Sequence, residues 1–136
     1  MKKHWFIAFA LVAMLSLGLA ACGGPQAVDR TVTLREFEFD PATITVPAGA
    51  DVNLTLINDG TVEHEFVVID QGVEMTAPVD EDALDASNNV YWEQELQPGT
   101  QETYDFPAPD EPGEYQVICA IAGHLEAGME ATLVVQ

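Results

Sequence analysis

The sequence predicts an all-β protein, a β-sandwich built from at least seven short strands. Apolar and polar residues alternate with a period of two through most of the chain, and Gly, Pro, Asn and Asp separate the alternating segments. No segment shows the periodicity of a convincing amphipathic helix. A chain of this length needs only one domain to bury a hydrophobic core.

The first half of the chain supplies most of these strands. The alternation of apolar and polar residues begins at Thr31. It shifts by one residue before Phe37 and Phe39, which predicts a β-bulge near residues 35–36. Turn signals then separate the strands that follow. These strands are centred on residues 44–46, 52–57 and 66–69, and the last is apolar enough to be central in its sheet.

Residues 70–89 are predicted to form an irregular surface excursion with at most a short helix. The segment contains Pro78 and a run of acidic residues, which is typical of a loop or a single helical turn. Met75 lies within it, and we expect this side chain to fill space. Trp92 is expected to pack with Tyr91 and Leu96 in the core or beneath the loop.

The last third of the chain returns to the β pattern. A turn at Gln97-Pro98-Gly99 precedes a strand over residues 101–106, and a Pro-rich connection leads to a strand over residues 114–119. A closing strand is predicted over residues 129–135. The expected total is therefore about seven to eight strands.

The N-terminus has the composition of a secretory signal. Residues 1–21 combine a positive start with an apolar stretch that is too short for a confident membrane span. Leu19-Ala20-Ala21-Cys22 resembles the lipobox of bacterial lipoproteins, in which the Cys is diacylated and becomes the new N-terminus. A plain signal peptide and a retained membrane anchor are the alternatives. Each interpretation places the folded part outside the cytoplasm, in the periplasm or on the outer face of the cell membrane.

The predicted organisation of the chain follows from the lipoprotein interpretation. Residues 1–21 form the signal peptide, residues 22–30 a lipidated flexible tether, and residues 31–136 the folded domain. The lipid on Cys22 would attach the protein to a membrane. Cys119 would then be the single free thiol, which is a liability in an oxidising compartment unless something such as a metal holds it.

The chain is strongly acidic, with 4 Lys and Arg against 23 Asp and Glu and a formal net charge of −19. Removing residues 1–21 takes away both Lys and no acid, so only Arg30 and Arg35 remain as cationic side chains. Nucleic-acid binding is effectively excluded, because it needs a basic footprint. The acidity either steers a cationic partner or is an adaptation to high salt, and charge alone does not separate these hypotheses.

Cys119, His124 and Met129 lie within one short segment, and His64 lies upstream after a turn. Soft sulfur together with imidazole selects copper over hard cations, and two His, one Cys and a weak axial Met form the ligand set of a blue-copper electron-transfer site. Each of the four residues, taken alone, is more often an ordinary core or surface residue. His4 lies in the leader, so both remaining His residues occupy candidate ligand positions.

The pattern around these residues resembles a known family. N-x-G…H-E-F followed by G-x-Y-x-x-x-C-x4-H-x4-M is similar to the motifs of the small blue copper proteins, the cupredoxins, which include plastocyanin, azurin and auracyanin. The resemblance extends from about residue 31 to residue 135. It implies a Greek-key β-sandwich and one copper ion per chain. It also implies that His64, Cys119 and His124 are equatorial ligands and that Met129 is the axial ligand.

The resemblance further implies an electron port, an apolar opening where the loop His reaches the surface. Its candidates are small or apolar loop residues that are equally explained as ordinary loop positions: Ala122, Gly123, Leu125 and Ala127. The chain departs from better-known members at Glu63 and Glu65, which flank the first His. Because such neighbours tune the metal, the redox potential does not transfer with the resemblance.

The resulting hypothesis is a one-electron transfer protein, not an enzyme, that cycles between Cu(II) and Cu(I) outside the cytoplasm. The alternative is a copper-binding module for storage, delivery or resistance, although the sequence has no Met-rich or His-rich tract. A copper enzyme would need a second centre with further His residues, and a metal-free sandwich leaves the Cys-His-Met loop unexplained. We expect a monomer whose redox partner, a cytochrome or a membrane electron-transfer complex, has a basic docking face.

Overall fold

The computed structural model describes residues 27–136. The predictions for the signal peptide of residues 1–21, for the lipidated Cys22 and for most of the tether lie outside the described residues. Within residues 27–136, we find no helix with the length and apolar character needed to cross a membrane.

The described residues form two facing mixed sheets with one short helix, which confirms the predicted all-β sandwich. There are nine strands in place of the expected seven to eight. In chain order the elements are β1 (Val28–Arg35), β2 (Glu38–Asp40), β3 (Thr43–Val46), β4 (Asp51–Asn58), β5 (His64–Ile69), α1 (Glu81–Asp85), β6 (Val90–Leu96), β7 (Gln101–Pro107), β8 (Gly113–Ile118) and β9 (Glu130–Val135). The first sheet has the order β2-β1-β4-β7, and the second has the order β3-β9-β8-β5-β6.

Long-range pairing gives the sandwich its topology. β1 pairs with β4 in parallel, β3 pairs with β9 in parallel, and all other neighbours are antiparallel. Most strand neighbours are distant along the chain, so the chain crosses repeatedly from one sheet to the other. Such crossovers are the connections of a Greek-key sandwich.

The core lies between the two sheets and follows from the period-two pattern. Every second residue of β4 is buried. Leu34 and Leu56 of the first sheet and Phe66 and Val117 of the second are almost completely buried in one apolar cluster. Burying each such side chain stabilises the fold by about 1.5–3 kcal/mol.

The predicted β-bulge near residues 35–36 is wrong, because the chain makes a tight hairpin there. β1 and β2 pair with Arg35 opposite Glu38, which leaves Glu36 and Phe37 as the turn. Phe37 has a φ of +77°, and its N–H donates to the carbonyl of Arg35 at 2.9 Å. A positive φ at the second central residue of a turn is ordinarily supplied by Gly or Asn. A turn therefore produces the one-register shift in the apolar pattern.

The first strand begins at Val28, earlier than the predicted domain start at Thr31. Its first residues pair with the start of β4, with Val28 opposite Val52. Arg30 reaches the other sheet, where its Nε donates to the carbonyl of Thr45 at 2.6 Å. These first residues therefore belong to the sheet and not to the tether.

Residues 70–89 form the expected excursion, with the short helix α1 inside it. The side chain of Asp80 caps the helix by accepting a hydrogen bond from the N–H of Ala83 at 2.9 Å. Leu84 is buried in a small apolar cluster with Ile69 and Ile118. The excursion thereby covers the outer face of β5 and β8.

The pattern did not predict strand β6, which is an edge strand of the second sheet. Tyr91 and Trp92 are half-buried and pack against Phe106, with ring centroids 6.2 Å and 5.1 Å away. Glu93 and Glu95 alternate with them on the exposed face. One face of β6 is acidic and the other is only partly buried. The alternation of apolar and polar residues in its sequence is therefore weak.

Asn58 is a buried polar residue, 1% exposed, that holds the loop between β4 and β5. Its Nδ2 donates to the carbonyls of Val62 and Leu96, each at 2.9 Å. Its Oδ1 accepts from the N–H of Gly60 at 2.9 Å. One side chain therefore satisfies three backbone groups that have little access to water.

We expect Asn58→Ala to lower the free energy of unfolding by about 2–4 kcal/mol, because three largely buried backbone groups lose their partner. Asn53→Ala is the matched control, since Asn53 makes an exposed hydrogen bond to Asp29 at 2.8 Å. Urea unfolding of both variants measures the two losses. A loss in Asn58→Ala no larger than that of the control would contradict the prediction.

Candidate metal centre

The four predicted ligand residues come from two places in the second sheet. His64 is the first residue of β5, and Cys119 follows directly after β8. His124 and Met129 lie in the loop that joins β8 to β9. Because β5 and β8 are antiparallel neighbours, the start of one and the end of the other meet. We call this end of the sandwich, formed by His64 and the 119–129 loop, the site end.

Three donor atoms converge at the site end. Cys119 Sγ lies 3.1 Å from His124 Nδ1, and His64 Nδ1 lies 3.3 Å from the same nitrogen. The donor atoms of all three residues lie within 4.8 Å of one another. His64 and Cys119 are 0% exposed and His124 is 9% exposed, so only the last reaches the surface. The structure therefore brings the three predicted equatorial residues together.

The backbone of the 119–129 loop ties Met129 to the other loop residues. The N–H of Met129 donates to the carbonyl of His124 at 3.0 Å, and the N–H of Cys119 donates to the carbonyl of Met129 at 3.2 Å. Met129 is 0% exposed and belongs to the same apolar cluster as Cys119. The loop is thus closed by its own hydrogen bonds, and the axial role of Met129 stays a prediction.

Burial favours the neutral forms of the three donor side chains. It raises the pKa of the Cys119 thiol to about 11, and it lowers the pKa of His64 and of His124. Neutral imidazole is the form of His that binds metal ions. A thiolate at Cys119 would be a buried charge offset only by backbone N–H groups, so a bound cation would stabilise it.

The donor set fits copper. Two imidazole nitrogens and one cysteine sulfur suit this metal, whereas hard cations prefer oxygen ligands. The cluster found within residues 27–136 contains no carboxylate. The N–H of Glu65 also donates to Cys119 Sγ at 3.3 Å, a contact of the type that tunes a thiolate ligand.

Glu63 and Glu65 flank His64 as expected, and each has a defined environment. The side-chain amide of Gln97 donates to the carboxylate of Glu63. Glu65 is half-buried, and burial together with the charge of Glu81 raises its pKa to about 7. Glu65 therefore contributes a backbone donor to the sulfur and a carboxyl group that is easily protonated.

The predicted electron port stays a prediction. Ala122, Gly123 and Ala127 are exposed beside His124. Leu125 is 8% exposed, about as much as His124, and packs with Leu84 and Ile118 in the small apolar cluster. Leu125 thus also anchors the loop.

Sequence reasoning missed two residues that touch the His ligands. The ring of Phe37 packs edge-to-face on His124, with centroids 5.2 Å apart. Gly60 lies against His64, since a Cβ at that position would be 2.8 Å from His64 Nε2. The Asn-Asp-Gly turn signal indicated a turn at Gly60 but not the contact of Gly60 with His64. No local sequence signal indicated that Phe37 contacts His124.

Comparison with known proteins decides the family. The family model of the cupredoxin-like domain matches residues 6–135. The chain belongs to this family. Cupredoxins are generally electron carriers that lie outside the cytoplasm. The family, the fold and the cluster of His64, Cys119, His124 and Met129 together fit a single copper site.

Related cupredoxins come from several bacteria. The copper-resistant cuproprotein CopI of Rubrivivax gelatinosus is 31% identical over 117 residues, which is 82% of this chain and 67% of CopI. The crystal structure of dithionite-reduced auracyanin from Roseiflexus castenholzii is 28% identical, with a TM-score of 0.67 over 83% of this chain and 99% of that one. Auracyanin A of Chloroflexus aurantiacus is 26% identical, with a TM-score of 0.67 over 82% of this chain and 100% of that one.

We expect Met129→Leu to retain copper and to raise the redox potential, because a weak thioether donor that stabilises Cu(II) is replaced by an alkyl group. Leu conserves the side-chain volume, so the core should stay packed. Met75→Leu is the matched control, since Met75 packs on the small apolar cluster away from the donors. Redox titration of both variants measures the two potentials.

An unchanged potential in Met129→Leu, or an equal shift in Met75→Leu, would contradict the axial assignment. Complete loss of copper from Met129→Leu would show that the thioether contributes more to binding than a weak axial ligand does.

Proposed function

We propose that this cupredoxin carries one electron at a time outside the cytoplasm, with copper held by His64, Cys119 and His124 and with Met129 as the axial ligand. The convergence of His64 Nδ1 and Cys119 Sγ on His124 Nδ1, at 3.3 Å and 3.1 Å, carries the proposal. When bound at these donors, copper supplies the change between Cu(II) and Cu(I).

The chain contributes a site that changes little when an electron arrives or leaves. His64 is fixed by strand β5, and Cys119 is bonded through its backbone to Met129. Both donors are shielded from water. Because Cu(II) and Cu(I) prefer different coordination, donors that keep their positions limit the rearrangement that accompanies electron exchange.

His124 gives the electron its route to the surface. It is the partly exposed member of the three donors, and its neighbours Ala122 and Gly123 are exposed and small. A partner's redox group can therefore approach the outer edge of the imidazole closely. We assign electron entry and exit to this edge.

Membrane attachment through Cys22 would leave the site end free for partners. β1 starts at Val28, close in sequence to Cys22, and its far end pairs with residues beside the loop that leads to His64. An eight-residue strand is about 26 Å long. Val28 and the copper site therefore lie at opposite ends of the domain, so attachment before Val28 would leave the site end accessible.

A second candidate function is copper handling, which the 31% identity to the copper-resistant cuproprotein CopI favours. A protein of this kind binds copper tightly without passing electrons. A reversible colour change on reduction and reoxidation therefore distinguishes an electron carrier from a copper-handling protein.

We expect the purified protein to develop an intense absorption in the red region on titration with Cu(II), saturating at one copper per chain and bleaching reversibly on reduction. Cys119→Ser should abolish this absorption, because a hydroxyl cannot replace a thiolate ligand. Visible spectroscopy during the titration measures both results.

Retained colour in Cys119→Ser would refute the ligand assignment. Tight binding by the wild-type protein without the band would favour copper handling. Failure of the wild-type protein to bind copper would contradict both proposed functions.

We also propose a partner with a basic docking face, because the acidic surface favours cationic proteins. The rate of electron transfer with a basic cytochrome c should fall as salt rises. Glu126→Gln, in the exposed part of the 119–129 loop, should lower the rate at low salt by roughly twofold. Stopped-flow spectroscopy over a range of ionic strengths measures these rates.

Glu111→Gln is the matched control, since Glu111 is exposed in the connection before β8, at the end of the sandwich opposite Cys119. This variant should leave the rate unchanged. A rate that does not depend on salt would count against steering and would favour adaptation to high salt.

A further inference from the structure

Phe37 has an unusual conformation at the tip of the β1–β2 turn. Among non-glycine residues between positions 27 and 136, it alone has a positive φ, +77°. Its side chain is 42% exposed, although it is large and apolar. A bulky residue in this region of φ costs free energy and persists where the surroundings hold it, often at a functional site.

The ring of Phe37 lies against the copper site. Its centroid is 5.2 Å from that of His124, and the two rings are inclined by 77°. Edge-to-face packing of this type is favourable between aromatic rings. His124 is also the donor residue with access to the surface, so Phe37 covers part of the ligand that is otherwise least confined.

Polar contacts hold the turn against the loop that leads to His64. The carboxylate of Glu36 accepts hydrogen bonds from the backbone N–H of Thr61 and, at 2.8 Å, from its hydroxyl. Arg35 Nε lies 3.5 Å from the carboxylate of Asp59. The two residues that precede Phe37 are therefore tied to Asp59 and Thr61, which holds the turn against the loop that leads to His64.

We propose that Phe37 is a positioning residue for the copper site, which confines the His124 imidazole so that its Nδ1 faces Cys119 and His64. The inference rests on the proposed copper site. The aromatic contact of Phe37 is with His124, and Phe37 acts through that residue. The strained turn places the aromatic ring against His124.

Three substitutions of Phe37 distinguish the effect of its aromatic ring from the effect of the turn conformation. Phe37→Ala and Phe37→Gly both remove the ring, but Gly tolerates a φ of +77° and Ala does not. Phe37→Tyr keeps the ring and tests rescue. Val62→Ala is the control, because within residues 27–136 Val62 is the other exposed large apolar residue and is also 42% exposed.

The first measurement uses copper-free protein and NMR of the labelled His124 ring. The wild-type protein, Phe37→Tyr and Val62→Ala should each give one set of ring signals. Phe37→Ala and Phe37→Gly should give broadened or multiple signals, because the imidazole is no longer confined. This measurement tests Phe37 even if the proposed function fails.

The second measurement is the rate at which reduced, copper-loaded protein loses Cu(I) to excess bathocuproine disulfonate. Phe37→Ala and Phe37→Gly should lose copper about two- to tenfold faster than wild type, the range expected for one aromatic contact. Phe37→Tyr and Val62→Ala should match the wild-type rate. Urea unfolding should find Phe37→Gly more stable than Phe37→Ala, although both lose copper equally fast.

Wild-type behaviour of His124 and of copper release in Phe37→Ala and Phe37→Gly would overturn the proposal. The proposal would also be overturned if Phe37→Tyr failed to restore the single set of His124 signals and the wild-type rate of copper release. Equal changes in Val62→Ala would overturn it as well. Copper release could instead be faster in Phe37→Ala than in Phe37→Gly, in line with their difference in stability. Phe37 would then have only a structural role, and the proposal would be overturned.

Discussion

The pairing of β5 with β8 is the contact on which the copper site depends. Val67 lies opposite Ile118 and Val68 opposite Val117, which sets His64 beside Cys119. A slip of one residue would turn every side chain of a strand to the other face. Both faces of this strand pair are covered, one by the sandwich core and the other by the cluster around Leu84. The irregular excursion of residues 70–89 therefore fixes the register on which the donor geometry rests.

The sequence identified the candidate ligand residues and missed the contacts that other parts of the chain make with them. The 119–129 loop holds three predicted ligands in one segment, so residue types and spacing were enough to propose a copper site. The contacts of Phe37 and Gly60 with the two His rings join residues from separate parts of the chain. No periodic pattern encodes such contacts, and the turn at Phe37 was mistaken for a bulge because both shift the apolar register by one residue. β6 was missed because its exposed face is acidic and its inner face only partly apolar.

The charge distribution links the surface to the site. Both Arg side chains of the described residues are engaged locally, Arg30 with backbone carbonyls and Arg35 with the carboxylates of Glu38, Asp40 and Asp59. Exposed ion pairs of this type contribute little to stability individually. Those of Arg35 lie beside the Phe37 turn, so their effect is to orient it. The remaining acids of the described residues have no cationic side chain beside them, which keeps the surface negative.

The burial of the donor residues fits the proposed electron transfer better than it fits copper delivery. A delivery protein must release its cargo, which requires ligands that can move or reach solvent. Here His64, Cys119 and Met129 are completely buried, and the loop that joins the last two is closed by hydrogen bonds between its own backbone groups. His124 is the ligand with an open edge, and Phe37 packs on it. If the proposed electron transfer is right, the exposed edge of His124 is where an electron would cross, whereas release of copper would require the closed loop to open.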